Sequence, residues 1–157
     1  MLRPALAASL GAALWLAAVP AMAQSSGFVG HWRWNAAVSK AAPGEPPPKA
    51  MDLQITSASA AQISWSITVT DQQGAHPDNF TGVADNQPHP IGPPEEKSTV
   101  TLSLTGATMK ASYASADGQS EVRTCTLSPD QRQMTCAGTL SDGKGHSAAY
   151  TDLYDRV

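Results

Sequence analysis

Apolar and polar residues alternate along most of the chain after residue 24, with the two-residue period of half-buried β-strands. The clearest example is ISWSITVT at residues 63–70, which puts four large apolar residues on one face and four hydroxyl groups on the other. Helical periodicity is nearly absent. Turn residues separate such stretches, and the pattern predicts strands at residues 30–35, 51–56, 62–70, 79–84, 97–104, 107–114, 120–127, 132–139 and 146–156.

Short loops join most of these strands, which favours pairing between neighbours along the chain. Strands with one apolar and one polar face must hide the apolar face, and a closed barrel or a two-sheet sandwich does this. We therefore predict an all-β protein, an antiparallel up-and-down barrel of eight or nine strands. The residues expected to face its interior are Ile63, Trp65, Ile67, Val100, Leu102, Leu104, Met109 and Tyr113.

Two proline-rich segments, at residues 41–48 and 87–94, interrupt this rhythm. Proline has no N–H group for a ladder, so neither segment is expected to form a central strand. The stiffness of polyproline II predicts a semi-rigid crossover at each. Each could be a flap over the barrel mouth or a plain connection across a closed end, and the sequence leaves both open.

The first 23 residues have the features of an export signal peptide. A basic start that contains Arg3 precedes an uncharged apolar run at residues 5–19, and Ala21-Met22-Ala23 matches the small-x-small cleavage pattern. The apolar run is too short to span a bilayer as a helix. We therefore predict a signal peptide at residues 1–23, one domain at residues 24–157, and a periplasmic or secreted location without a membrane anchor.

The charge balance excludes two classes of partner. The chain carries 10 Lys and Arg against 13 Asp and Glu, a net charge of −3. An acidic domain without a basic cluster lacks the electrostatic surface that nucleic acids or acidic membranes require, so we expect neither. The sequence also contains no glycine-rich phosphate motif and no zinc-ligand spacing of histidines, so we predict no cofactor and no metal.

Cys125 and Cys136 are the only cysteines, and an even count in an exported protein predicts a disulfide. A turn signal, Ser-Pro-Asp, lies between them. A hairpin with its two-residue loop at Asp130-Gln131 pairs position 125 with position 136, which would place both sulfurs face to face. The spacing does not match the C-x-x-C pattern of redox-active pairs.

The beginning of the predicted domain, FVGHWRWN at residues 28–35, contains the motif G-x-W as Gly30-His31-Trp32. This opening resembles that of the lipocalin-like (calycin) proteins. It is most similar to a bacterial secreted branch with W-x-x-N-x-x-x-S-K, L-S-x-D and Y-D-R motifs, which stand here at residues 32–40, 127–130 and 154–156. The late hairpin departs from that branch, because it has Asp-Gln in place of Asp-Gly. The resemblance implies a β-barrel fold but no particular activity.

In lipocalin-like barrels the tryptophan of G-x-W fills the closed end, and an arginine of the last strand lies across its ring. The resemblance therefore implies structural roles for Gly30, Trp32 and Arg156. The residue types suit these roles, because glycine lets the chain approach the barrel floor closely. A guanidinium stacked on an indole ring contributes roughly 0.5–2 kcal/mol.

A barrel of this size is either filled by its own side chains or just wide enough for one small ligand. The sequence leaves both possibilities open. We expect a small hydrophobic or aromatic molecule as the partner, held by aromatic and flexible apolar side chains on the inner face. The side chains predicted to contact it are Trp34, Trp65, Met109, Tyr113 and Tyr150.

Polar groups on an inner face would mark a site, because burying them is costly without a partner. The disulfide register puts Arg123 on the face of Cys125, and strand alternation puts Asp152 on the face of Arg156. Arg123 and Asp152 are therefore candidate anchors or catalytic groups, although a one-residue slip would turn both to water. His89 is a candidate for proton transfer from a loop, or else simply a solvated side chain.

The preferred function is that of an exported protein that binds a small, largely apolar or aromatic molecule. One alternative is a cofactor-independent lyase, isomerase or cyclase that uses the cavity, with Arg123, His89 or Asp152 as its acid or base. A second alternative is a protease inhibitor or other protein-binding module that acts through residues 24–28. The sequence leaves the oligomeric state open.

Overall fold

The structure, a computed structural model, describes residues 26–44 and 46–157. The predicted signal peptide at residues 1–23 lies outside the described residues. In the described part, no helix is long and apolar enough to cross a lipid bilayer. The strands are β1 (Gly30–Trp34), β2 (Ala50–Ala58), β3 (Ile63–Thr70), β4 (Ala75–Gly82), β5 (Asp85–Ile91), β6 (Ser98–Thr105), β7 (Thr108–Ala114), β8 (Ser120–Leu127), β9 (Gln133–Ser141) and β10 (Ser147–Arg156), with one 3-10 helix at Pro94–Glu96.

Neighbouring strands along the chain pair antiparallel, and the last strand returns to pair with the first. The order around the sheet is β4-β3-β2-β1-β10-β9-β8-β7-β6-β5. Within the described chain no ladder joins β4 to β5, so the barrel is nearly closed and has one gap. The predicted all-β antiparallel barrel is confirmed, with 10 strands rather than eight or nine.

The additional strand, β5, falls in the second proline-rich segment, so the prediction of a crossover or flap at residues 87–94 is wrong. Pro88 and Pro90 lie in β5, which pairs only with β6. An edge strand tolerates proline, because one of its sides has no ladder partner that needs an N–H group. The other edge, β4, begins at Ala75 rather than at residue 79 and also contains proline, at Pro77.

The first proline-rich segment lies between β1 and β2, and its described residues, 41–44 and 46–48, form no strand. Just before it, Lys40 and Thr151 of β10 exchange backbone hydrogen bonds of 2.7 and 2.9 Å. The chain therefore continues the line of β1 beside β10 before it crosses to β2. Ala42 is buried, so the connection starts against the barrel wall.

The buried side chains form two groups joined through the half-buried Trp65, Leu104 and Met109. The larger group fills the closed end of the barrel. Its fully buried members are Phe28, Trp32, Ile55 and Met134. The smaller group lies beside the gap and contains Ile63, Ala84, Val100 and Leu102.

The closed end is built on Trp32, which has no exposed surface. Its Nε1 donates to the carbonyl oxygen of Phe28 at 2.9 Å. The guanidinium carbon of Arg156 lies 4.1 Å from the centroid of the indole ring. Gly30 has a φ of 151°, and a Cβ at this position would collide with the Arg156 guanidinium. Glycine is therefore required where the first strand passes under the arginine.

The Arg156 guanidinium is also held by backbone carbonyl groups on three sides. Its Nη1 donates to Val29 at 2.9 Å, its Nε donates to Gln131 at 2.7 Å, and its Nη2 donates to Gly27. The last strand thereby ties the segment before β1 to the hairpin between β8 and β9. This arrangement makes the closed end a packed structural unit.

Candidate functional site

The barrel interior contains a cavity of about 410 Å³, within the size range of small-molecule sites. Strand alternation supplies most of its lining, because every second residue of each strand points inward. The lining is mainly apolar. It consists of Leu53, Ile55, Ile63, Trp65, Ile67, Asp78, Phe80, Ile91, Val100, Leu102, Met109, Ala111, Tyr113, Glu121, Arg123, Cys125, Met134, Cys136 and Tyr154.

One wall of the cavity is aromatic. Trp65 of β3 lies directly opposite Phe80 of β4, and their rings stack with centroids 5.5 Å apart. Tyr113 of β7 also lines the cavity, and its hydroxyl is 3.2 Å from the Ser98 hydroxyl. Of the five residues predicted to contact a ligand, the structure places Trp65, Met109 and Tyr113 in the lining.

The cavity floor is rich in sulfur. Cys125 and Cys136 lie opposite each other in β8 and β9, with Cα atoms 3.9 Å apart, and form the disulfide. The predicted disulfide is thus confirmed, together with the hairpin register on which it depended. Met109 and Met134 flank it in the lining. Polarisable sulfur atoms pack well against aromatic rings, so this floor suits a flat or irregular apolar body.

Two charged side chains of the lining lie on β8, and a third, Asp78, lies on β4. The Nε of Arg123 is 3.6 Å from the Oε1 of Glu121, and both side chains line the cavity. Tyr150 of β10 donates its hydroxyl hydrogen to Glu121 from behind. Gly138 of β9 stands between Arg123 and Tyr150, and a Cβ there would collide with the tyrosine ring. The absence of a side chain at Gly138 therefore leaves room for Tyr150 of β10 to reach across β9 to Glu121 of β8.

Trp34 and Asp152 support this wall without lining the cavity. Trp34 is buried, and its Nε1 donates to the Oδ1 of Asp152 at 2.8 Å. Tyr150 likewise is outside the lining, whereas Tyr154, on the same face of β10, belongs to it. Of the predicted ligand contacts, Trp34 and Tyr150 are therefore placed behind the wall, where they position acidic groups.

Burial and neighbouring charges set the protonation of this cluster. Burial alone lowers the pKa of Arg123, but the charge of Glu121 and weaker contributions from the tyrosines and Asp152 outweigh it, so the pKa is raised. Burial raises the pKa of Asp152, and the Trp34 hydrogen bond and the Arg123 charge only partly offset it. Burial also raises the pKa of Tyr150, so its hydroxyl remains protonated and can donate.

The histidines are placed away from the cavity lining. His89, expected on a loop, lies in the edge strand β5, and His76 lies in the other edge strand, β4, because the edges tolerate the adjacent prolines. The Nε2 of His89 is 2.9 Å from the Oδ1 of Asp85, and His76 contacts Asp71 at 3.1 Å. Among the described residues no group of three His, Cys, Asp or Glu side chains is arranged to hold a metal ion.

The N-terminal segment considered for protein binding is partly described. Phe28 is fully buried, and the Gly27 carbonyl accepts a hydrogen bond from Arg156. Phe28 and the Gly27 carbonyl group thus belong to the closed end of the barrel, and Ser26 and Gly27 are half-buried. Residues 24 and 25 lie outside the described residues.

Sequence reasoning missed two acidic residues of the lining, Glu121 and Asp78. Glu121 shares a face with Arg123 and Cys125 by simple alternation, so the signal that placed those residues was sufficient to find it. Asp78 was missed because β4 was expected to begin at position 79, whereas it begins four residues earlier, at Ala75. The shortened strand left its first inward-facing acid in a loop.

No family model and no curated protein sequence matches this chain. Solved structures do match it. The fluorescent protein UnaG aligns with a TM-score of 0.61 and 14% identity, over 83% of this chain and 97% of that chain. A fatty acid transporter, REP1-NXSQ, gives a TM-score of 0.53 and 14% identity, over 82% and 95%.

Lipid binding protein 8 from Caenorhabditis elegans aligns with a TM-score of 0.53 and 9% identity, over 83% of this chain and 96% of that chain. The similarity to these proteins covers nearly their whole length, and the chain has their calycin-type barrel fold. The fold implied by the G-x-W resemblance is therefore confirmed. At sequence identities this low, the structural similarity shows a shared fold and gives no information about the ligand.

Proposed function

We propose that this protein is an exported carrier or receptor for one small, largely apolar or aromatic molecule, which binds inside the barrel. The observation that carries the proposal is the cavity of about 410 Å³, which is apolar on most sides and polar at Asp78, Glu121 and Arg123. A mainly apolar cavity with few convergent polar groups is the usual form of a small-molecule site. The printed names of two structural neighbours, a fatty acid transporter and a lipid binding protein, agree with this class of function.

The arrangement supports binding more strongly than catalysis. Arg123 has a raised pKa and therefore retains its proton, so it is poorly suited to proton transfer. His89 is outside the cavity lining and is engaged by Asp85. Asp152 lies behind the wall, where it accepts a hydrogen bond from Trp34. We therefore retain binding as the function and treat the enzyme hypothesis as the second candidate.

The direct test is titration with the neutral fluorescent dye N-phenyl-naphthylamine. We expect saturable fluorescence enhancement with one dye per chain. Ala111→Phe should abolish it, because Ala111 lines the cavity and a phenyl ring would fill the space. The matched control is Ala137→Phe, since Ala137 is exposed on the outer face of the barrel. Non-saturable binding, or equal binding by both variants, would contradict the proposal.

Export requires its own experiment. We propose that residues 1–23 direct the chain out of the cytoplasm and are then removed, which agrees with an oxidised cysteine pair in the folded domain. When the full chain is expressed in a bacterial host, the protein should be recovered from the periplasm or medium with Gln24 as its first residue. Recovery of uncleaved protein in the cytoplasm would refute the export signal.

A further inference from the structure

We propose that the cavity selects an uncharged amphiphile, with an apolar or aromatic body and a neutral oxygen acceptor such as a hydroxyl, ether or carbonyl group, and disfavours carboxylates. This inference rests on the proposed binding function and specifies its ligand class. The observation behind it is the charge arrangement of the cavity: its one arginine is accompanied by acidic groups on more than one side.

The described part of the chain contains nine basic side chains, and of these only Arg123 lines the cavity. Two acids line it as well, Glu121 from β8 and Asp78 from β4. A third, Asp152, lies on the same face of β10 as Tyr150, whose ladder partner Gly138 pairs in turn with Arg123. Acidic groups therefore outnumber the cation, and the site does not offer the net positive charge that an anionic head group requires.

The Arg123 guanidinium nevertheless has N–H groups that can donate to a ligand. Its Nε is 3.6 Å from the Glu121 carboxylate, and among the described residues its guanidinium makes no hydrogen bond to a protein group. The side chain keeps 35% of its surface exposed, at the cavity wall. A guanidinium presents five N–H groups, so it can donate to a neutral oxygen without leaving Glu121. The contrast is Arg156, whose nitrogens donate to three carbonyl groups.

A carboxylate would meet repulsion at the same position. It would either displace Glu121 from Arg123 or add a further negative charge beside Glu121 and Asp152. Interactions between charges strengthen away from bulk water, so this repulsion is larger in the cavity than at the surface. An ammonium group would be attracted by the acids, but it has no lone pair to accept from the Arg123 guanidinium, is repelled by that charge and must lose its own hydration. A neutral acceptor avoids both costs.

The test uses three probes that share a ten-carbon chain and differ in their head group: decanol, decanoic acid and decylamine. Each is titrated against the complex of the protein with N-phenyl-naphthylamine at neutral pH, and displacement of the dye gives its affinity. We expect decanol to bind at least tenfold more tightly than decanoate and decylamine. Equal or tighter binding of either charged probe would overturn the inference. Failure of the dye and of all three probes would instead refute the proposed binding function.

A variant tests the physical cause. Glu121→Gln removes the negative charge but keeps an oxygen that can accept from Tyr150. We expect it to strengthen decanoate binding about tenfold relative to decanol. Glu95→Gln is the matched control, because Glu95 is exposed in the 3-10 helix outside the cavity, and its probe ratio should equal that of the unmodified chain. An unchanged ratio in Glu121→Gln, with dye binding intact, would exclude the acidic wall as the cause.

Discussion

Arg156 and Arg123 are two arginines on the inner face of one barrel, and their surroundings give them different roles. Arg156 lies 4.1 Å from the Trp32 ring centroid and donates to three backbone carbonyl groups, so its hydrogen-bonding capacity is used by the fold. Arg123 lies in the cavity wall, 3.6 Å from Glu121, and retains donors that face the cavity.

The acceptors around each arginine, more than the arginine itself, distinguish a structural residue from a candidate site residue. Backbone carbonyl groups are fixed by the ladder, and an arginine bound to them holds loops together. A carboxylate neighbour on the same strand compensates the charge but leaves the rest of the guanidinium available. The closed end and the cavity wall should therefore respond differently to substitution.

The largest effect is expected at the closed end. Trp32→Ala should lower the free energy of unfolding by about 3–5 kcal/mol, because it empties a fully buried site that neighbours cannot refill. Denaturant titration measures this loss. Trp65→Ala is the companion variant, and its loss should be smaller because Trp65 already borders a cavity. Equal losses would mean that the closed end is not a distinct structural unit.

The two arginines provide the most direct comparison. Arg156→Met should cost about 3 kcal/mol, because it removes the stacking on Trp32 and leaves carbonyl groups without their donor. Arg123→Met should cost only about 1 kcal/mol, since its ion pair is partly exposed. Denaturant unfolding curves of the two variants in the same buffer measure both losses of stability. A larger loss for Arg123→Met than for Arg156→Met would contradict the structural role of Arg156.

The disulfide lies at the boundary between the two regions, in both the core of the closed end and the cavity lining. Replacing Cys125 and Cys136 together by alanine should lower stability by about 2–3 kcal/mol, because a covalent loop no longer restricts the unfolded chain. Thermal melting of the double variant and the parent measures the change. If the double variant loses more stability than Trp32→Ala, the cavity floor contributes more to the stability of the fold than the closed end does.

The smallest effect concerns the pH dependence of the cavity wall. Burial raises the pKa of Asp152 in the folded protein, so its contribution to stability is fully present below its ordinary pKa and is lost as pH rises through the folded pKa. Asp152→Asn should therefore be the more stable form at neutral pH, by about 1 kcal/mol or less. Melting temperatures of the variant and the parent should converge as the solution is acidified.

An edge-strand carboxyl should show the opposite sign. The hydrogen bond from His89 lowers the pKa of Asp85, so this group stabilises the fold above its ordinary pKa and loses that contribution as pH falls. Asp85→Asn should accordingly lower the melting temperature at neutral pH and have less effect in acid. The same sign for Asp85→Asn and Asp152→Asn would contradict the contrast between buried wall and exposed edge.

Much of the fold could be predicted because it depends on local rules. Alternation within a strand placed Trp65, Met109 and Tyr113 on the inner face, and a single hairpin register paired Cys125 with Cys136. The strand β5 could not be predicted from propensity, since proline is unfavourable in a strand unless the strand lies at an edge. Whether a segment is an edge depends on the closure of the whole barrel.

The candidate site was predictable only in part. The disulfide register identified Arg123 but not its partner Glu121. Trp34 was expected to contact the ligand, whereas its indole N–H donates to Asp152 outside the cavity lining. Trp34 and Asp152 are far apart in the chain and meet only because β10 returns to pair with β1. A side chain can reach the cavity or turn to a neighbour, and the packing around it decides between the two.

The period of the strands, the residues that share a face and the disulfide all follow from local sequence, because each depends on residues close together in the chain. Only the tertiary structure set the gap between β4 and β5, the free volume of the barrel, and the position of Asp152 of β10 across β9 from the strand of Arg123. These features depend on strands distant in sequence. Barrel closure sets how close such strands come, and no local pattern encodes that distance.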